Sequence, residues 1–529
     1  MSTQPKTDCY LNHQQPSPPG ADELPSSPQE ILQNNDFFDT SYLKADLKGR
    51  SVRGGAITVF SQGCKFVLQT GSTVVLARLL TPADFGLIAM VTAITNFAMM
   101  FSDLGLSTAT VQKAEINNDQ VSTLFWINVG LGILIAAVVI GLAPAVAWFY
   151  DDPRLTPVTM ALGLAFIFGG LTVQHQAMLQ RHMRFFAIGI VEVVSMAVGV
   201  GAAIIGGVLG AGYWSLVIMY IVMAVAAAVG KWIAFPWLPG RPRRGVGIRE
   251  MLGFGGNITG FNIVNYFARN ADNILIGKFL GSVTLGFYSK AYGLLMLPLH
   301  QINRPVSAVA LPSLSRLNND PQKYKNYYLK TISLITFITA PLIAFMVVMS
   351  EDIILLVLGE QWLDASRIFA VLGISAVIQP LYNTQGWLHI SSGHSRRFFR
   401  WGLIGSIIIV VSFLLGLPYG VMGVATAYTI GVYAIIVPCM WYAGNSAGIK
   451  VTSIFSVVWR NWCAAVFAGA GCYLLLVIIN YIENIPIRLA FGFLCLIIVY
   501  VLSIVALNRS FAPLFQFMSL LKDFKPTSK

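Results

Sequence analysis

Four cations stand inside otherwise apolar stretches of the sequence: Lys65, Arg269, Lys290 and Arg304. The carboxylates in comparable positions are Asp103, Glu192 and Asp272. An ionised side chain at the middle of a bilayer costs about 2.5–3.5 kcal/mol even on insertion scales. Four cations turned toward lipid would together cost on the order of 10 kcal/mol. They are therefore expected to face protein or a water-filled cavity. A cavity with surplus positive charge suits an anionic ligand, and phosphate is the natural candidate. Asp272 lies three residues after Arg269, so those two can pair on one helix. Lys65, Lys290 and Arg304 have no evident partner. Lys290 and Arg304 are close to four turns apart and share a helix face, with Gln301 between them. They lie toward opposite ends of their segment, so snorkelling to the membrane surface is an alternative role. Glu192 and Asp272 are the candidate ion-coupling groups.

Two of these residues belong to a longer pattern. Gln62, Lys65, Gln69, Ser72 and Thr73 stand opposite Asn262, Asn265, Arg269, Asp272 and Asn273 at an offset of 200 residues. Positions at steps of 0, 3, 7, 10 and 11 share one helical face, so each segment carries a polar stripe at the same place. The neighbouring letters agree as well, with Ala77-Arg78-Leu79-Leu80 against Gly277-Lys278-Phe279-Leu280 and Phe85-Gly86 against Leu285-Gly286. The copies are offset by six spans, an even number, so both enter the membrane in the same direction. Two parallel halves related by an axis along the membrane normal, with a binding site between them, are a pattern of secondary transporters. Gln62, Gln69 and Asn265 join the cations as candidate substrate-binding residues.

The elements that must hold these side chains are membrane helices. The chain has 529 residues, 56% of them apolar and 11% charged, against about 25% charged in a soluble domain. Its apolar runs are continuous, which excludes a barrel of alternating strands. A span needs about 20 residues. Fourteen are expected, at 55–77, 84–106, 122–149, 156–180, 187–208, 213–235, 252–277, 285–311, 331–349, 366–391, 401–417, 420–443, 461–480 and 488–507. The piece at 353–361 is too short to cross and is expected at the interface or as a small re-entrant helix. Pro298, Pro341 and Pro380 fall inside spans, where they can bend them. Most Lys and Arg fall on one side. The other side holds Arg78, Arg154, Lys278, Arg367 and Arg488, which puts both termini in the cytoplasm. The net charge of +12 is then a topology signal and a contact for anionic lipid rather than for nucleic acid.

Residues 1–50, rich in Pro, Ser, Gln and Asn, read as a disordered cytoplasmic tail. The six cysteines show no metal or disulfide spacing. His175, His300 and His389 read as packed, hydrogen-bonded side chains. No GxxxxGK[ST] motif or nucleophile–base constellation points to an enzyme, and no cofactor is expected.

The runs RLLTPADFGLIAM (78–90), FSDLGLSTATVQ (101–112), ADNILIGKFLGSVTLGFYSKAYGLLMLP (271–298), ALPSLSRL (310–317), LGEQW (358–362) and QPLYNTQGWLHISSG (379–393) resemble the Wzx-type polysaccharide transporters of the MOP exporter superfamily, especially the colanic-acid-exporter-like branch. The resemblance covers about 50–507. It implies an all-α integral membrane fold of two six-helix lobes around a central cationic cavity, with two further C-terminal helices. The parts would be an N-lobe at 51–235, a C-lobe at 236–445, a helix pair at 446–507 and a cytoplasmic tail at 508–529. It further implies a flippase that moves undecaprenyl-pyrophosphate-linked oligosaccharide units across the bacterial cytoplasmic membrane for exopolysaccharide, capsule or O-antigen synthesis. Lys65, Arg269, Lys290 and Arg304 would hold the pyrophosphate. Partners would be the lipid-linked oligosaccharide, membrane lipids and the polysaccharide polymerase machinery. The competing readings are a multidrug or cation antiporter of the same superfamily and a membrane polymerase or glycosyltransferase. Carboxylates outnumbered by cations speak against the first. Short loops speak against the second.

Overall fold

The computed structural model describes residue 38 and residues 47–103, 105–113, 115–243, 249–479 and 481–511, without the side chains of 47–48, 249–265, 267–269 and 476–479. Among the described residues there are seventeen α-helices, two 3-10 turns and no strand. Inside lipid a helix is the open-chain structure that satisfies its own backbone polar groups. The first half comprises α1 (Leu47–Leu79), α2 (Pro82–Met99), α3 (Leu106–Gln112), α4 (Asn118–Tyr150), α5 (Leu155–Arg181), α6 (Phe185–Val208) and α7 (Trp214–Ala234). The second half comprises α8 (Arg249–Leu317), α9 (Pro321–Val348), α10 (Ser350–Val357), α11 (Asp364–Ala376), α12 (Gln379–Asn383), α13 (Gln385–Ser391), α14 (Ser395–Gly416) and α15 (Gly420–Gly444). α16 (Val451–Ile479) and α17 (Ile485–Asn508) close the chain.

Nine helical stretches of the described residues are long and apolar enough to cross a membrane, or ten with a bent pair. α1 and α8 are not among them, because polar residues interrupt their apolar runs. Length and composition therefore do not fix the expected number of fourteen. The bent pair is α11 with α12 and α13, which meet at 51°. Pro380 sits in the first turn after the break, where a proline's missing N–H costs no helical hydrogen bond but cannot continue the ladder from α11.

Spans two, seven and eight differ from expectation. The second ends earlier, at Met99. Asp103, expected among the span carboxylates, lies in the following turn and accepts a hydrogen bond from the Ser107 amide at 2.9 Å. It answers one of the unpaired N–H groups that open every helix. The seventh and eighth spans are not separated by a loop. They are two arms of α8 joined at Gly281, whose φ of 82° and ψ of 176° lie in a region essentially reserved for glycine. At the equivalent place in the first half, Thr81 ends the turn between α1 and α2 with a capping box, its side chain paired with Asp84.

The two halves meet where α2 crosses the second arm of α8. A Cβ at Gly86 would lie 1.7 Å from the Ser282 carbonyl oxygen, and one at Gly286 would lie 1.9 Å from the Pro82 carbonyl oxygen. Gly86 and Gly286 are 200 residues apart, as are Pro82 and Ser282. The repeat in the letters thus returns as a reciprocal contact: each glycine admits the backbone of the other half four residues before its counterpart. Gly86→Ala and Gly286→Ala should each cost about 1–3 kcal/mol of stability through overpacking against backbone. Gly201→Ala, where nothing lies within 4 Å of the added carbon, should cost none. Thermal unfolding of the purified variants measures this, and a Gly86→Ala protein as stable as Gly201→Ala would disprove the close packing.

Candidate functional site

α1 and α6 run against each other with Gly189 at the crossing, where an added Cβ would sit 2.1 Å from Ser61 Oγ. This approach carries Lys65 to Glu192, and Lys65 Nζ donates to Glu192 Oε2 at 2.5 Å. The expectation that Lys65 lacks a partner is corrected: its charge is balanced by a residue 127 positions away. Local spacing cannot find such a partner, because the pair depends on how two helices pack. The side chains keep 24% and 38% of their surface exposed. Glu192, expected as an ion-coupling group, is here a counterion. Gln62 and Gln69, on the stripe beside Lys65, are exposed. Below the ion pair opens a cavity of about 390 Å³, lined by Thr58, Ser61, Gln62, Gln176, Gln180 and Glu192 among others.

In the second half, Asp272 is buried. Its carboxylate accepts hydrogen bonds from the Tyr288 hydroxyl at 3.0 Å and from the Asn273 amide at 2.8 Å. The expected Arg269–Asp272 pair, and the place of Asn265, involve side chains outside the described residues. Lys290 Nζ stands 3.7 Å from the centre of the Phe85 ring, a cation–π contact between the halves. Arg304 and Gln301 are exposed. The candidate residues therefore occupy separate settings: Lys65 with Glu192, Asp272 with Tyr288, and Lys290 on Phe85. His175 is packed, stacked on Trp232 at 4.3 Å and hydrogen-bonded at 3.2 Å to the Trp237 carbonyl.

A feature that sequence reasoning missed closes the end of the bundle near Arg78. Gln361 Nε2 donates to the carbonyls of Ala77 and Leu80 at 2.5 and 3.1 Å, and Trp362 Nε1 donates to Ala77 at 2.8 Å. The short 353–361 piece thus ends in a 3-10 turn that satisfies the last carbonyls of α1, which no helix can satisfy itself. Trp362 is fully buried and meets the edges of Phe85 and Phe287. Arg78 donates to the Leu356 carbonyl at 2.9 Å, while its repeat counterpart Lys278 pairs with Asp151 at 2.6 Å. Both cations cross to the other half, and both meet the segment that follows its third long helix. Arg488 pairs with Asp352 at the same end. Arg154 hydrogen-bonds Asp152 and holds that carboxyl below its usual range. The pairing of LGEQW with α1 had no signal in either segment alone.

The family described as polysaccharide biosynthesis protein matches residues 75–367, more than half of the chain. The chain is 26% identical over 459 residues to the teichuronic acid biosynthesis protein TuaB of Bacillus subtilis (strain 168), a match that covers 81% of this chain and 95% of that one. It is 25% identical over 363 residues to the lipopolysaccharide biosynthesis protein WzxC of Escherichia coli (strain K12), covering 68% of this chain and 72% of the relative. Its fold is similar to that of the lipid II flippase MurJ in an inward closed conformation, with a TM-score of 0.68 and 16% identity over 87% of this chain and 99% of that one.

Trp362→Ala should destabilise the protein by about 3–5 kcal/mol, the usual loss for a buried tryptophan. Trp362→Phe keeps the ring contacts and should lose only about 1 kcal/mol with the hydrogen bond. Thermal unfolding in detergent compares them. Equal melting of Trp362→Ala and wild type would show that the 3-10 turn does not hold α1.

Proposed function

The chain belongs to the polysaccharide biosynthesis protein family, and from that premise we propose that it is a flippase for undecaprenyl-pyrophosphate-linked oligosaccharides in the cytoplasmic membrane of a bacterium. The observation that carries the reading is the Lys65–Glu192 pair at the rim of a cavity that places three glutamines and two hydroxyls among apolar side chains. In this reading residues 51–235 and 236–445 are the two lobes, and 446–507 is an accessory helix pair. Both termini are cytoplasmic, so the end sealed by Gln361, Trp362 and the Gly86–Gly286 crossing faces the periplasm, and the glycan-loaded lipid enters from the other side.

Lys65 then has two anions to choose between. The pyrophosphate brings more negative charge and more acceptor oxygens than one carboxylate, so it can draw Lys65 away from Glu192. Arg269, Lys290 and Arg304 are its proposed contacts in the other lobe, and Gln62, Gln69 and Asn265 are neutral donors to the lipid-linked glycan. Glu192, once released, is free to take up a proton or cation, which links substrate capture to ion coupling. Asp272 is a second candidate for that role. Polymerase machinery that consumes the exported unit is the proposed partner on the far side.

The test is substrate binding to protein in nanodiscs, followed by flipping in proteoliposomes. Lys65→Gln should weaken binding of the lipid-linked pyrophosphate about tenfold to a hundredfold, as expected for a charge-assisted contact. Added salt should narrow that gap. Glu192→Gln leaves Lys65 without its counterion, so it should bind tighter than wild type and turn over more slowly. Wild-type affinity in both variants would end the proposed competition for Lys65.

A further inference from the structure

The cavity below the ion pair is built differently from a phosphate site. Its polar lining comes from three glutamines, Gln62 on α1 and Gln176 and Gln180 on α5, with the hydroxyls of Thr58 and Ser61. Gln176 and Gln180 are four residues apart and share a helix face. The one carboxylate in the lining, Glu192, already carries Lys65 as its counterion, so the wall is close to neutral. A primary amide offers two donors and an acceptor that takes two hydrogen bonds. That matches a sugar hydroxyl, which both donates and accepts. Phe185 supplies an apolar face on the same wall, the kind of surface on which the C–H face of a pyranose ring rests.

Two further observations point to a ligand. The Gln176 Oε1 atom is buried and, among the described residues, has no hydrogen-bond partner. A buried acceptor left unmade costs about 1–3 kcal/mol, and a half-turn of the Gln176 amide that brings Oε1 to the cavity wall would let an incoming donor recover that cost. The volume, about 390 Å³, falls in the range of small-molecule pockets and far exceeds the space of a single ion or water. Among the described residues there is also no cluster of three His, Cys, Asp or Glu groups that could hold a metal ion.

We propose that this cavity of the first half is a saccharide subsite, in which Gln62, Gln176 and Gln180 read the hydroxyls of the sugar nearest the pyrophosphate while Lys65, at its rim, receives the phosphate. The inference rests on the flippase reading and adds to it the residues that select the glycan. One lipid-linked ligand spans both places: charge captures its phosphate and neutral amides sort its sugar. A site of neutral amides discriminates between hydroxyl patterns, because a mismatched sugar leaves donors or acceptors unpaired.

The experiment uses the full chain in nanodiscs and two probes: lipid-linked oligosaccharide extracted from the source cells, and bare undecaprenyl pyrophosphate. Wild type should bind the glycan-bearing probe more tightly. Gln176→Leu and Gln180→Leu should each lose about fivefold to tenfold on that probe, the worth of one or two hydrogen bonds, and nothing on the bare lipid. Gln180 is exposed, so its variant carries the test should Gln176→Leu fold poorly. Equal losses on both probes, or no loss on either, would overturn the saccharide subsite while leaving the flippase reading intact. A wild type that binds neither probe would end both.

Discussion

Much of the architecture hangs on one contact, the crossing of α2 and the second arm of α8 at Gly86 and Gly286. Backbone meets backbone there without a side chain between them. The phenyl ring of Phe85, next in sequence, is then free to lie under the Lys290 ammonium and against the edge of Trp362. Trp362 in turn reaches the last carbonyls of α1. Close approach of two helices in lipid requires small residues at the contact, since lipid tails offer no hydrophobic push to drive them together. The glycines are thus what permits the aromatic and hydrogen-bonded closure around them, and the same end seals both halves.

The buried charges follow a second rule, that a charge in a low-dielectric setting keeps a partner. Lys65 has Glu192, Lys290 has an aromatic face, and Asp272 has a phenol and an amide. Breaking such a pair by removing one member usually costs more than the pair itself contributes, because the survivor stays behind unpaired. That asymmetry suits a transporter. A ligand that replaces the lost partner restores the balance, and so the same contacts that hold the resting protein can be exchanged for contacts to cargo.

How far the sequence could be read depended on distance along the chain. The helical fold, the stripe on α1 and the 200-residue offset were legible, because periodicity and repetition are local or self-referential. The offset was also informative in detail: it paired Gly86 with Gly286 and Arg78 with Lys278 before their reciprocal contacts were known. The Lys65–Glu192 pair was not legible, since neither helix carries a sign of which face meets the other. The role of Gln361 and Trp362 was hidden for the same reason. The short segment read only as too brief to cross, while its function lies in the carbonyls of a helix more than 280 residues earlier. Asp103 was misplaced because an apolar run continued past the true end of α2, and a turn of Ser, Asp and Gly was absorbed into it.

The two halves also differ at one equivalent joint. Thr81 is braced by its reciprocal bonds with Asp84, whereas Gly281 links the arms of α8 with no bracing side chain of its own. With a rise of about 1.5 Å per residue, the second arm extends over roughly 50 Å. A rotation of about 10° at Gly281 would carry its far end through roughly 9 Å on that length. Gly281 would then be the fulcrum of a long lever, with the beam clasped by α2 at Gly286 close to the pivot, Lys290 just beyond and Arg304 well out along it. The braced joint at Thr81 offers no such mechanical advantage. Leverage of this kind is built into one half of the molecule only, so a pair of halves related in sequence need not move as mirror equivalents.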